Sequence, residues 1–294
     1  MSRRTPSHAP LDLDPAVVSA LQERILGWYA ANRRDLPWRR TADPYAILVS
    51  EVMLQQTQVS RVVPKYEAFV ATYPALEDLA AAPLGDVLTL WQGLGYNNRA
   101  RRLRGCATAA VAAATCADAA GEPSRDGGAA RAALPRSLDG LRRLPGLGPY
   151  TARAVLIFAH NEDLAAVDAN VRRVLTHELV LGLDLADRAL QAVADTVLPH
   201  GRSRDWHNAL MDYGALVLTA RTTRIPSRTQ QSTFEGSRRW HRSRLLRALL
   251  EHGPMREAQL PALLGLDEGA AAEIVAVLEA DGLVCRDGDM VHIP

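Results

Sequence analysis

The chain has 294 residues, 48% of them hydrophobic and 23% charged, with 34 basic and 33 acidic side chains for a formal net charge of +1. That length is about twice the usual domain size and predicts two domains, the second smaller. The composition excludes wholesale disorder, and no apolar run reaches the roughly 18 residues that would span a bilayer. Residues 1–14 carry Arg3 and Arg4 with no apolar stretch behind them, so a disordered tail on a cytoplasmic protein is expected rather than a secretory signal. Cys106, Cys116 and Cys285 are too few and too widely spaced for a disulfide framework or a four-thiolate metal site. Lys65 is the only lysine, so a Schiff-base mechanism would have a single lysine side chain to draw on.

Helical periodicity dominates. Asp14-Pro15 and Asp43-Pro44 each pair an N-cap with proline at the first helical position. The first opens a helix whose apolar stripe is Val18, Leu21, Ile25, Trp28 and Tyr29, and the second opens a helix through about Gln56. Further helices are expected at about 60–72, 84–92, 97–119, 137–143, 150–160, 169–181, 187–197 and 205–219, which makes the domain all-α. Residues 121–135 read as a surface loop and residues 222–236, with Pro226 and Gly236, as a linker. Arginines 221, 224, 228, 238, 239, 242, 244 and 247 face one acid, Glu235, in this region. Such a run is either a solvated surface or a contact for an anionic partner. The tail predicts helices at 238–252, 256–263 and 267–281. A β-hairpin follows, turning at Asp287-Gly288. Three helices and a hairpin suggest a winged-helix-like module at 237–294, a DNA binder or a structural domain.

Three features carry chemistry. Leu144-Pro145-Gly146-Leu147-Gly148-Pro149-Tyr150-Thr151-Ala152 lies between two helical patterns, where glycines and a helix N-terminus let backbone N–H groups approach a phosphate. Glu51 has Ile47, Leu48 and Leu54 among its neighbours three and four positions away, which puts a carboxylate on an apolar stripe. Burial would raise its pKa and suit a general acid, although a Glu paired to an arginine fits the same pattern. Asp168 opens a helix 20 residues after the Gly-x-Gly turn, either as a plain N-cap or as a second acid of the same site.

Leu36-Pro37-Trp38-Arg39, Asp43-Pro44-Tyr45, Glu51-Val52-Met53-Leu54-Gln55-Gln56-Thr57-Gln58-Val59, Trp91-Gln92-Gly93-Leu94-Gly95-Tyr96, the hairpin and Val167-Asp168-Ala169-Asn170 occur in this order. Together they resemble the helix-hairpin-helix DNA glycosylases, and within them the MutY-type adenine glycosylases, over about residues 22–222. The resemblance implies a two-lobed helical fold: a six-helix lobe at about 36–163, a second lobe from 15–35 and 164–221, a basic linker and the small C-terminal module. It implies a monomeric, monofunctional enzyme of base excision repair that removes adenine mispaired with 8-oxoguanine or guanine, flipping the base from double-stranded DNA.

By the same resemblance, Glu51 would protonate adenine, Asp168 would stabilise the cationic sugar, and Asn170 would hydrogen-bond beside it. Gln55, Gln56, Thr57, Leu94 and Tyr96 would meet the DNA around the opposite base. Gly146, Gly148 and Thr151 would hold a phosphate, and Arg39 and Asn208 would line the base pocket. Tyr150 stands where lyase members carry a lysine. The chain departs from the family in three ways. Residues 217–234 lack the cysteines of a [4Fe-4S] cluster, the short tail replaces a Nudix-like domain, and Asn208 stands where the family has Gln. No cofactor is therefore expected beyond at most a monovalent cation at the hairpin, and Arg221, Arg224 and Arg228 are expected to take over the cluster loop's DNA contact. Removal of thymine or uracil opposite guanine is the alternative activity, and DNA binding without catalysis a third reading.

Overall fold

A computed structural model describes residues 13–119, 132–225 and 233–294. Expectations about residues 1–12, most of the 121–135 loop and the middle of the linker, Arg228 included, lie outside the described residues. In chain order the helices begin with α1 (Pro15–Asn32), α2 (Pro44–Leu54), α3 (Val59–Thr72), α4 (Leu76–Ala81) and α5 (Leu84–Trp91). Next come α6 (Asn98–Ala119), α7 (Leu138–Arg143), α8 (Pro149–His160), α9 (Ala169–Glu178), α10 (Asp187–Thr196), α11 (Ser203–Leu216) and α12 (Ala220–Thr223). The C-terminal part holds α13 (Arg238–His252), β1 (Met255–Arg256), a 3-10 turn (Glu257–Gln259), α14 (Leu260–Leu264), α15 (Glu268–Ala280), β2 (Cys285–Asp287) and β3 (Met290–His292).

The chain divides into two compact units. The first comprises residues 1–44 and 148–230. Asp14 caps α1 by accepting the Ala16 N–H at 2.8 Å, as the Asp-Pro pair predicts. From the expected stripe Leu21, Ile25 and Tyr29 are buried, while Val18 and Trp28 are partly so. They pack with Val174 of α9, Leu190 of α10 and Trp206 of α11 into one core. Helices α9 and α11 approach so closely at Gly214 that a Cβ there would sit 2.8 Å from that of Asn170.

The second unit comprises residues 45–147 and 231–294. Helices α4 and α5 pack against α6, and Trp91 is fully buried edge-on to Phe69. The C-terminal module belongs to this unit and docks through α13 on α5. Asp281 fastens it, accepting from Asn98 Nδ2 at 3.0 Å on one oxygen and pairing with Arg242 on the other. The units part at 44/45 and 147/148, so α8 goes with the first unit, not with a lobe ending near 163.

The hairpin turns at Gly288 as the Asp-Gly signal predicts, with Arg286 opposite Val291. The expected helix at 256–263 is a correction: Met255–Arg256 is an edge strand pairing antiparallel with β3, and helix resumes only at Leu260. Gly253-Pro254 breaks the chain ahead of it, and a two-residue strand is too short to show alternation in sequence.

Candidate functional site

In the second unit, α2 is buried at Tyr45 and continuously from Ile47 to Met53, with Glu51 only 7% exposed. The helix is thus enclosed on nearly every face, not along one stripe, and its carboxylate sits among core side chains. Just past the helix, Gln56 has φ +55°, and across from it Tyr96 has φ +48°. Non-glycine residues in this left-handed region store roughly 1–3 kcal/mol each and persist only where their surroundings hold them.

The Arg99 side chain holds both turns. One guanidinium nitrogen donates to the carbonyls of Val52 at 2.9 Å, Met53 at 3.0 Å and Gln55. The other donates to Thr57 Oγ1 at 3.1 Å and to the carbonyls of Leu94 and Gly95 at 3.1 and 3.0 Å. Burial lowers the Arg99 pKa to about 10, so it stays charged at neutral pH. Arg99 therefore brings Gln55, Gln56, Thr57, Leu94 and Tyr96 into one cluster at the end of the Glu51 helix. Gln56 and Tyr96 are exposed, whereas the Leu94 side chain is buried and offers its carbonyl to Arg99.

In the Gly-x-Gly turn, Gly146 has φ +83°, and a Cβ there would lie 2.8 Å from that of Arg102, so only glycine fits. Gly148 caps α8 with open space around it and Pro149 follows at the first helical position. The positive end of that helix dipole suits an anion. Tyr150 is half-buried and Thr151 is buried.

In the first unit Asp168 is the N-cap of α9, accepting from Val171 N at 2.7 Å. It does more than cap. Its second oxygen accepts from Asn170 Nδ2 at 3.0 Å, and Arg173 donates to Asn170 Oδ1 at 2.7 Å, which fixes the amide so that its NH2 faces the acid. Burial raises the Asp168 pKa above the ordinary aspartate value despite these hydrogen bonds and the Arg173 charge. Arg173 also donates to the carbonyls of Gly214 and Leu218, tying the segment after α11 to α9.

His207 supports the approach to Asp168. Its Nε2 accepts from Ala166 N at 2.9 Å and its Nδ1 lies 2.7 Å from Ser203 O, an arrangement that requires the neutral ring protonated on Nδ1. Desolvation lowers its pKa to about 4. Asn208, beside it on α11, is buried. Arg39 makes two parallel 2.8 Å hydrogen bonds to the fully buried Asp212, which also accepts from Arg34 N and Nε. The Asp212 pKa is lowered: burial opposes ionisation, but the hydrogen bonds and charges of Arg39 and Arg34 outweigh it.

Four of the eight arginines in this run have partners, three of them inside the C-terminal module. Arg238 pairs with Glu273, Arg239 donates to Tyr96 Oη at 2.8 Å, Arg242 pairs with Asp281, and Arg244 reaches the Leu263 carbonyl at 2.6 Å. Arg221, Arg224 and Arg247 are exposed. Sequence reasoning did not assign Arg99, Arg173, His207 or Asp212 to the site.

Residues 49–187 match the HhH-GPD superfamily of base excision DNA repair proteins. An adenine DNA glycosylase of Mycolicibacterium smegmatis is 37% identical over 287 residues, covering 90% of this chain and 92% of its own. The human adenine DNA glycosylase is 38% identical over 219 residues, covering 70% of this chain but 37% of its own length. Among solved structures, a thermostable thymine-DNA glycosylase superposes with a TM-score of 0.61 at 30% identity, covering 70% of this chain and 89% of that one.

Proposed function

Because the chain belongs to the adenine DNA glycosylase family within the HhH-GPD superfamily, we propose that it removes adenine from mispairs with guanine or 8-oxoguanine in base excision repair. The substrate is DNA, and the bond cleaved is the N-glycosidic bond. The observation that carries the reading is the Asp168–Asn170–Arg173 chain: a buried carboxylate oriented by a fixed amide with a cation behind it suits a positive charge developing on the sugar. Glu51, enclosed in α2, protonates the leaving base and so spares it departure as an anion. The exposed Gln56 and Tyr96, preset by the strained turns, fill the stack vacated when adenine flips out. The Gly146–Gly148 turn at the start of α8 holds a backbone phosphate, and Arg221 and Arg224 add phosphate contacts.

Arg39 acts on the base pocket through the Asp212 pair that fixes residues 34–39. Asn208 contacts the base beside it, and Tyr150 leaves the hairpin without an amine nucleophile. A monomeric, cytoplasmic enzyme without cofactor is part of the same proposal. Among the described residues no helix is long and apolar enough to cross a membrane. The likeness to a thymine-DNA glycosylase favours thymine or uracil opposite guanine as the second reading. Single-turnover assays on duplexes with each mispair separate the two. Glu51→Gln should keep duplex binding and slow adenine release by about a hundredfold or more. Full activity in that variant refutes the assignment of the acid.

A further inference from the structure

Between α8 and α9 the chain runs through a connector, residues 161–168, that has neither helix nor strand and ends on Asp168. Its middle residues, Ala165 and Ala166, are each only 1% exposed. Buried main-chain N–H and C=O groups need partners, and among the described residues the peptide bond joining these two finds them on side chains alone. Its carbonyl, on Ala165, accepts from Arg153 of α8 at 3.1 Å and from Gln191 Nε2 of α10 at 2.9 Å. Its N–H, on Ala166, donates to His207 of α11. A peptide bond is a rigid plane, so side chains from three helices grip this one at both poles and fix its orientation.

Gln191 is itself held in place, because the same Nε2 donates to Asp195 Oδ1 one helical turn on at 3.1 Å. The start of the connector has a separate anchor in Asp163, which accepts from Gly201 N at 2.8 Å and Ser203 Oγ at 3.1 Å. Between the gripped plane and Asp168 lies only Val167, which packs on the core of this unit. On its other side Asp168 is held by Val171 N and Asn170. Any rotation of the gripped plane is thus carried through one residue to the carboxylate.

Resting on the glycosylase reading above, we propose that Arg153 and Gln191 are positioning residues for Asp168: by clamping the Ala165 carbonyl they fix the direction in which the connector delivers the carboxylate and keep it closed against solvent. Neither side chain has to touch DNA for this. A displacement of about 1 Å at a reacting group costs on the order of a hundredfold in rate, so two remote hydrogen bonds are enough to matter.

The test uses the full chain with Gln191→Leu, Arg153→Met, the double substitution and Arg153→Lys. Leu190→Ala, which trims the core beneath α10 without touching the connector, controls for lost stability. Single-turnover adenine excision at saturating enzyme is compared with equilibrium binding of a duplex carrying a non-hydrolysable adenine nucleoside. The double variant should excise on the order of a hundredfold more slowly with duplex affinity unchanged. Arg153→Lys, which retains a donor for the carbonyl, should recover most of the rate. Gln191→Leu removes no charge, so a change in Asp168 ionisation there reports solvent access. Burial holds the Asp168 pKa above the ordinary 3.8, and admitting water should lower it. Carboxyl-carbon NMR, with the signal assigned by Asp168→Asn, reads that midpoint without substrate. It should fall toward 3.8 in Gln191→Leu and hold in Leu190→Ala. An unchanged midpoint in Gln191→Leu, a rate loss matched by an equal loss of affinity, or an equal rate loss in Leu190→Ala overturns the proposal. A wild-type chain that excises no adenine refutes the glycosylase reading, and a midpoint that still falls in Gln191→Leu but not in Leu190→Ala leaves the positioning assignment standing.

Discussion

Acidification should weaken the first unit through His207. The ring is 1% exposed and spends both nitrogens on the backbone, donating to Ser203 and accepting from Ala166. Desolvation lowers its pKa to about 4, against about 6.5 for an unhindered imidazole. Between those values the unfolded chain takes up a proton that the folded chain refuses, so stability is complete above about pH 6.5 and falls as pH drops toward 4. A gap of about 2.5 units at 1.36 kcal/mol per unit gives a loss of about 3 kcal/mol. His207→Gln keeps an acceptor for the Ala166 N–H and removes the titration. Urea unfolding of both proteins from pH 7.5 to 4, followed by circular dichroism, should show wild type losing about 3 kcal/mol relative to the variant. The carboxylates common to both cancel in the difference. A flat difference across that range, or an imidazole resonance of His207 titrating near 6.5, refutes the reasoning. Ala166 stands two residues before Asp168, so the same protonation should also loosen the Asp168 carboxylate.

Gly214→Ala should destabilise the protein by about 1–3 kcal/mol, because the new methyl meets the backbone of Asn170 at 3.2 Å as well as its Cβ. Excision at saturating enzyme should fall with it, and a variant unchanged in both melting and excision counts against the Asn170–Asp168 linkage. The single-turnover rate should drop on the acid side with a midpoint above 3.8, because burial holds Asp168 above that value and the ionised form does the work. A limb at or below 3.8 contradicts this. Borohydride should trap no protein–DNA adduct, leaving abasic sites that break only in alkali. Efficient trapping would implicate Lys65 or the terminal amine.

The elements that could be read from sequence are those whose cause is local. Asp14 and Asp168 cap helices because a side-chain oxygen and the N–H group it accepts from lie two or three residues apart, and Asp287-Gly288 turns a hairpin for a similar reason. The apolar setting of Glu51 was visible in its neighbours, although only the packed helix reveals enclosure on nearly every face. What stayed hidden depends on carbonyls and distant partners. Arg99 looks like any helical arginine until Val52, Met53 and Gln55 arrive from more than forty residues away. Arg39 and Arg34 resemble surface charges until Asp212, on α11, draws them in. The arginine-rich run reads in sequence as either a solvated surface or a contact for an anionic partner, yet Glu273, Asp281 and the Leu263 carbonyl take up part of it.

Arg99 also governs the order in which the protein comes together. A guanidinium enclosed before its acceptors are in place would bear an uncompensated desolvation penalty of several kcal/mol. Its six acceptors belong to the end of α2, the Gln55–Thr57 turn and the Leu94–Gly95 turn, so no subset can form early at low free energy. Ordering of both strained turns is therefore one cooperative event, coupled to the docking of α6. A nascent or partly unfolded chain cannot display Gln56 and Tyr96 in their left-handed backbone conformation. The exposed surface that these two side chains form is thus withheld until the helix that carries Glu51 is itself in place.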